Sequence, residues 1–226
     1  MGYDSNGILG IPIAVAATVV TAFIFFGSLL NVTGGSRFFT DAALLSMGKL
    51  RGGPMKIAVA ASALFGSISG SAVANVVATG VVTIPMIKRS GYPGHKAAAI
   101  EAVASTGGQL MPPVMGAVAF LMADFLQISY AEVALAALVP ALLYYLALFI
   151  QADLEAAKAH ILPVPVKEIP RIVAVVMKGW FFILPFAVLI YALFWLNREA
   201  ENAAVYACIG VAVVGLAFGY SGHRLT

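Results

Sequence analysis

The sequence predicts an all-α, polytopic membrane protein, and three observations carry that prediction. Hydrophobic residues make up 62% of the chain and charged residues only 10%, far below the roughly 25% charge of a water-soluble domain. Six runs lack any Asp, Glu, Lys or Arg: residues 5–36, 57–87, 102–123, 133–152, 179–197 and 202–223. Each is long enough for the ~20 helical residues that cross a hydrocarbon layer of about 30 Å. The runs are solidly apolar rather than alternating, which excludes a transmembrane β-barrel and leaves helices as the spanning solution.

The formal charge of +3 is no sign of nucleic acid, because the basic residues sit between spans, where they set membrane orientation. Cys208 is the single cysteine, so neither an internal disulfide nor a cysteine metal site is open to the chain. It is read as packing. Residues 1–6 lack the basic start and small-residue cleavage site of a signal peptide, so residues 1–36 are read as a span that stays. No organic cofactor is expected.

The run 57–87 is too long for one straight span, since at 1.5 Å per residue it would extend about 46 Å. Its middle reads Gly66-Ser67-Ile68-Ser69-Gly70-Ser71, residues that loosen helices and bond their own backbone. Counting positive charges separates two topologies. A full crossing puts Arg37, Lys49, Arg51, Lys56 and Arg198 on one side and the other eight basic residues opposite, which is no orientation signal. A hairpin that enters and returns puts all but Arg198 on one face. Short cytoplasmic loops collect Lys and Arg, so the re-entrant hairpin is expected, with the N-terminus outside.

From there the elements follow in order. Residues 37–56 form a cytoplasmic interfacial segment, in which 38–50 is too short to span and lies along the surface as a helix. Residues 88–152 hold a broken helix, an acidic outside loop at 124–132 and a returning span. Residues 153–178, with Pro163, Pro165 and Pro170, make a cytoplasmic linker, and 179–226 supply two more transmembrane helices.

Irregular backbone at membrane depth persists only where protein buries it or a cavity lies beside it. The sequence has two such places: the hairpin tip at 67–75, and Ser105-Thr106-Gly107-Gly108-Gln109-Leu110-Met111-Pro112-Pro113. The two prolines withhold backbone donors and the paired glycines let the chain leave helical geometry, so freed carbonyls can face an ion. Discontinuous helices of this kind build the ion and substrate sites of secondary transporters. Ser71 and Asn75, four residues apart, are expected on one helical face as hard neutral ligands suited to Na⁺; the competing reading makes them interhelical glue. Glu101 is placed at the water boundary in a capping role rather than a proton relay. Pro85, Pro140 and Pro185 are read as ordinary kinks, Tyr144 and Tyr145 as packing, and Trp180 and Trp195 as interfacial anchors.

The segments 65–75, Ile84-Pro85-Met86-Ile87-Lys88-Arg89-Ser90-Gly91-Tyr92 and 101–116, in this order, closely resemble the large membrane subunit of tripartite ATP-independent periplasmic (TRAP) transporters. The likeness is to the fused permeases that pair with TAXI-type binding proteins. The resemblance implies an elevator-type secondary transporter of the bacterial inner membrane, coupled to Na⁺, with H⁺ as the alternative. A periplasmic solute-binding protein would deliver a small carboxylate-bearing solute. Carried over residue by residue, the cation site falls on Ser71, Asn75, Gly108, Met111 and Pro112, the last three through backbone oxygens. Ser69, Gly70 and Thr106, in the same two breaks, are the candidate substrate contacts. The family has two inverted repeats and this sequence shows one hairpin and one break. It is therefore expected to be a fragment or split subunit, half of an inverted-repeat carrier, needing the remaining repeat or a companion membrane chain.

Other functions fare worse. An intramembrane serine protease would need a base beside its serine, but His95, His160 and His223 all lie at span ends. A re-entrant hairpin also builds channel pores; the motif match favours a carrier. An inactive remnant is the third alternative.

Overall fold

A computed structural model of the chain describes residues 10–161, 163–165, 169–196, 198–217 and 220. The start of the chain, Lys167, and the end with His223 and Arg224 lie outside the described residues. Every regular element described is helical, and five helices among the described residues are long and apolar enough to cross a membrane.

Helix α1 (Ile11–Val32) starts with a proline in its first turn and carries one π-turn at Ala16–Val20. It stops at Thr33 and Gly34, the latter at φ 93°. Helix α2 (Gly35–Met47) corresponds to the expected interfacial segment but begins three residues earlier. Gly52 at φ 67° and Pro54 then set the entry to α3 (Gly53–Ser69). Gly70, at φ 58°, ends α3 in the left-handed conformation that glycine adopts without strain. Ser71 is extended and caps α4 (Ala72–Arg89), its Oγ accepting from the Ala74 amide at 3.3 Å. The run 57–87 is thus two helices joined at the Gly-Ser tip.

Helix α5 (Gly94–Gly107) and α6 (Ala117–Leu126) are separated by the non-helical segment 108–116. Helix α7 (Tyr130–Lys158), capped by Ser129, runs on past both Pro140 and the expected linker start. Pro85 likewise lies inside a continuous α4. Helix α8 (Ile172–Trp195) carries a 3-10 turn at Trp180–Phe182 just before Pro185 and a π-turn at its end, and α9 (Ala200–Ala217) follows. The linker is therefore shorter than 153–178, because helix claims both of its ends.

Two apolar cores organise these elements. One gathers Phe23, Phe26 and Leu30 of α1 with Phe65 and Ile68 at the hairpin tip, Phe120 of α6, and residues of α8 and α9. The other joins Met55 and Val59 of α3, Ile87 of α4, Ile100 and Ala104 of α5, and Tyr145, Ala152 and Ala156 of α7. Cys208 is buried in the first, as expected of packing. Small residues fill the contact faces of α7, where Ala134, Ala141, Ala152 and Ala156 are buried. That is how helices approach closely in lipid. The outer face of α7 exposes Leu135, Val139, Leu142, Leu143, Leu146 and Ile150, a surface suited to acyl chains.

Charges gather at helix ends. Asp153 of α7 takes both Arg51 and Lys56, the latter at 2.5 Å, and Glu155 takes Lys96 of α5. The Tyr220 hydroxyl donates to Asp41 of α2 at 2.7 Å. Burial pushes the Asp41 carboxyl above its usual range, with the Tyr220 hydrogen bond and the Arg37 charge pulling the other way.

Candidate functional site

The two breaks meet. The Val114 amide donates to the Ser67 carbonyl at 3.0 Å, joining the segment after the proline pair to the hairpin tip. Gly66 and Gly108 touch backbone to backbone: a Cβ built on Gly66 would lie 2.5 Å from Gly108 Cα, and one on Gly108 would lie 2.6 Å from Gly66 Cα. A Cβ on Gly70 would collide with the Met115 carbonyl oxygen. Only glycine permits these three approaches.

The proline pair explains the local path. Without N–H groups, Pro112 and Pro113 cannot continue the helical bonding of α5. The Gln109 carbonyl turns instead to the Gly116 amide at 2.8 Å, closing the segment into a compact loop. No backbone amide among the described residues bonds the Met111 or Pro112 carbonyl. The Tyr130 hydroxyl of α7 donates toward the Pro113 carbonyl at 2.9 Å and lies close to that of Val114.

Asn75 is fully buried where the breaks cross. Its Nδ2 donates to the Ser62 carbonyl at 2.8 Å and lies 3.4 Å from the Ser105 carbonyl, spanning α3 and α5. Ser71 does not share this face. The four-residue rule holds for positions inside a helix, whereas Ser71 is the extended N-cap and spends its Oγ on the Ala74 amide. Its side chain borders a separate cavity of about 170 Å³, together with Ser28 and Asn31 of α1, Phe65 and Ser69. Ser69 Oγ is buried there with no hydrogen-bond partner among the described residues, and Gly70 adjoins it in sequence. Thr106 is exposed and bonds back to the Ala102 carbonyl at 2.8 Å. The structure thus brings Asn75 and Gly108 together and sets Met111 and Pro112 in the same loop. Ser69 and Ser71 share the cavity beside α1, and Thr106 faces outward.

Two further expectations are corrected. Glu101 is not at a water boundary: it is fully buried between α3, α4 and α5. Its Oε1 lies 2.5 Å from Thr79 Oγ1, 3.2 Å from Ser62 Oγ and 3.3 Å from Ser105 Oγ, and its Oε2 lies 2.5 Å from Thr83 Oγ1. The i, i+4 pairs Thr79/Thr83 and Glu101/Ser105 were the available signal, each placing two polar groups on one helical face. Tyr144 and Tyr145 do more than pack. Their hydroxyls donate to the Val103 and Ala104 carbonyls at 2.7 and 3.1 Å, satisfying the last turn of α5 where the helix stops.

Comparison with known proteins identifies the family. Residues 9–225 match the family model described as "Tripartite ATP-independent periplasmic transporter, DctM component". The C4-dicarboxylate TRAP transporter large permease protein DctM of Pseudomonas aeruginosa is 30% identical over 204 residues, which are 90% of this chain and 47% of that protein. A putative TRAP transporter large permease protein of Haemophilus influenzae and the 2,3-diketo-L-gulonate TRAP transporter large permease protein YiaN of Escherichia coli are each 30% identical over 128 residues. Those 128 residues are 57% of this chain and 28% of each relative. The chain spans less than half the length of the relatives it matches. With five apolar helices long enough to span among the described residues, it is a multi-pass bacterial membrane protein of a transport family and not an enzyme. The chain belongs to the DctM family, the large membrane permease component of TRAP transporters.

Proposed function

We propose that this chain forms one inverted repeat of an elevator-type secondary transporter in the bacterial inner membrane, carrying a small anionic solute with a coupling cation. The observation that carries the reading is the meeting of the two breaks, with Gly66 against Gly108 and Asn75 wedged between them. Non-helical backbone of this kind, buried in protein at membrane depth, is where carriers hold ions and substrates. When it is Na⁺, the cation is assigned to Asn75 with the carbonyls of Gly108, Met111 and Pro112, while Ser71 lies apart on the cavity beside α1. Two of these carbonyls receive no backbone donor among the described residues.

Ser69, Gly70 and Thr106 are assigned to substrate. The unpaired hydroxyl of Ser69 in the cavity beside α1 supports the first of these. Relatives are named for C4-dicarboxylate, 2,3-diketo-L-gulonate and isethionate, two carboxylates and a sulfonate, which favours a small anionic solute here and, on the first two, a carboxylate-bearing one. The partners are a periplasmic solute-binding protein of TAXI type, a companion membrane chain or segment with the remaining repeat, and surrounding lipid.

Uptake tests the reading directly. Proteoliposomes holding this chain, a membrane chain with a second hairpin, and a binding protein loaded with radiolabelled C4-dicarboxylate should accumulate label under an inward Na⁺ or proton gradient. Equal accumulation after both gradients are collapsed would point to a channel instead.

The hairpin's re-entrant course, which the distribution of basic residues supports, has its own test. Lys49 and Arg89 are both exposed and flank the α3–α4 hairpin. Single cysteines there, in a Cys208→Ala background, should both resist a membrane-impermeant thiol reagent in intact cells and react after permeabilisation. Labelling of one alone in intact cells means that the hairpin crosses the bilayer.

A further inference from the structure

Among the described residues Glu101 is the fully buried carboxyl, and its surroundings are unusual in kind. Four hydroxyls from three helices enclose it: Ser62 of α3, Thr79 and Thr83 of α4, and Ser105 of its own α5. Its stem packs against Gly80, where an added Cβ would sit 3.3 Å from Glu101 Cγ. No ion pair to it exists among the described residues. On the helices packed around it, Lys56 is held by Asp153 and Lys96 by Glu155, while Lys88, Arg89 and His95 lie at helix ends. From α7, Tyr144 and Tyr145 face α5, but their hydroxyls are bonded to backbone carbonyls.

An ionised carboxylate buried without a counter-ion costs several kcal/mol, and intramembrane acidic groups of this kind mark ion or proton paths. The enclosing groups favour a proton. A hydroxyl donates or accepts as required, so the same enclosure satisfies both states of the acid. With Glu101 ionised, Thr79 and Thr83 turn their hydrogens to its two oxygens. With Glu101 protonated, the acid hydrogen goes to a threonine oxygen. The threonine hydroxyls then donate to carbonyls one turn back, Thr79 to Asn75 O at 2.8 Å and Thr83 to Thr79 O at 3.0 Å.

We infer that Glu101 is a reversible proton-binding site, the seat of a coupling proton, and that Thr79 relays its state to Asn75 where the two breaks meet. The inference rests on the transporter reading above and deepens it, naming the proton as a coupling ion. A proton from water adds to a carboxylate oxygen and later returns to water; no other bond is made or broken.

Infrared spectroscopy of the chain reconstituted in liposomes, stepped from acid to alkaline pH, reads the site without transport. Acidification should raise the carbonyl band of a protonated carboxylic acid, and alkali should remove it. The band should be absent in Glu101→Gln, which keeps the shape and hydrogen-bonding capacity of the site. In Thr83→Val, which deletes the partner of Oε2, the band should move in frequency; surface carboxyls would not respond. A spectrum with no Glu101-dependent band, or with one that is constant across the range, overturns the proposal. A band erased at fixed pH by Na⁺ but not by choline also overturns it, in favour of a metal-ion seat. Failure here leaves the transporter reading standing, because gradient-driven uptake is measured separately.

Discussion

Gly66→Ala is expected to destabilise the protein by about 1–3 kcal/mol, the usual cost of forcing a methyl group into a closed interior. The new Cβ would lie 2.5 Å from Gly108 Cα and 2.7 Å from Asn75 Nδ2. Neither neighbour can swing aside, since one is backbone and the other is held by carbonyls on two helices. Gly210→Ala in α9 is the matched control, because its nearest neighbour, Pro185 Cα, would be 3.7 Å away. There the gain in helix propensity, roughly 0.5–1 kcal/mol, should leave stability unchanged or improved. Thermal unfolding in detergent compares the two. Equal melting temperatures for both variants would mean that the contact between the breaks is not a packed one. Gly66→Ala should also abolish gradient-driven uptake in the assembled transporter, since the methyl group separates the two elements that form the site.

Asn75→Ala is the second large effect, and its readout is ionic rather than structural. The wild-type chain should melt at a higher temperature in sodium chloride than in choline chloride, as any ligand of the folded state requires. Loss of the Asn75 amide should weaken the apparent Na⁺ affinity by at least about tenfold, which corresponds to ~1.4 kcal/mol. The accompanying loss of intrinsic stability is expected to be about 1 kcal/mol or less, in line with interhelical hydrogen bonds in lipid. A variant that melts lower but keeps the full sodium response would make Asn75 interhelical glue. A wild-type chain without any sodium response would remove the metal-ion assignment and leave the proton at Glu101 as the coupling ion.

The helical class, the hairpin and the broken helix were all legible in the sequence, because each depends on local chemistry. A Gly-Ser cluster ends one helix and caps the next, and two adjacent prolines starve a helix of donors whatever surrounds them. Element ends were less legible. Reading spans as charge-free runs treats every charge as a boundary, which fails where a charge is paired or enclosed. Helix α5 begins at Gly94 and takes in Lys96 and Glu101, one neutralised by Glu155 and the other surrounded by hydroxyls. Helix α7 runs through Asp153 and Glu155 for the same reason.

The environment of Glu101 was hidden by distance along the chain. Its partners Ser62, Thr79 and Thr83 lie 39, 22 and 18 residues away, and only the packing of three helices makes them neighbours. Ser71 was misplaced because a spacing of four assumes that both residues already lie in the helix.

The length of α7 bears on which membranes suit this protein. Its 29 residues extend about 43 Å at 1.5 Å per residue, some 13 Å more than a typical hydrocarbon layer. Asp153 and Glu155, near its end, fall in the surplus, so the ion pairs with Arg51, Lys56 and Lys96 sit at headgroup depth when the rest of α7 crosses. A thicker bilayer would draw these charges toward acyl chains, while a thinner one would tilt α7, whose Tyr144 and Tyr145 hold the end of α5. Mismatch costs fractions of a kcal/mol per Å. Through its longest helix, acyl-chain length thus becomes a control on the geometry of the break that α7 braces.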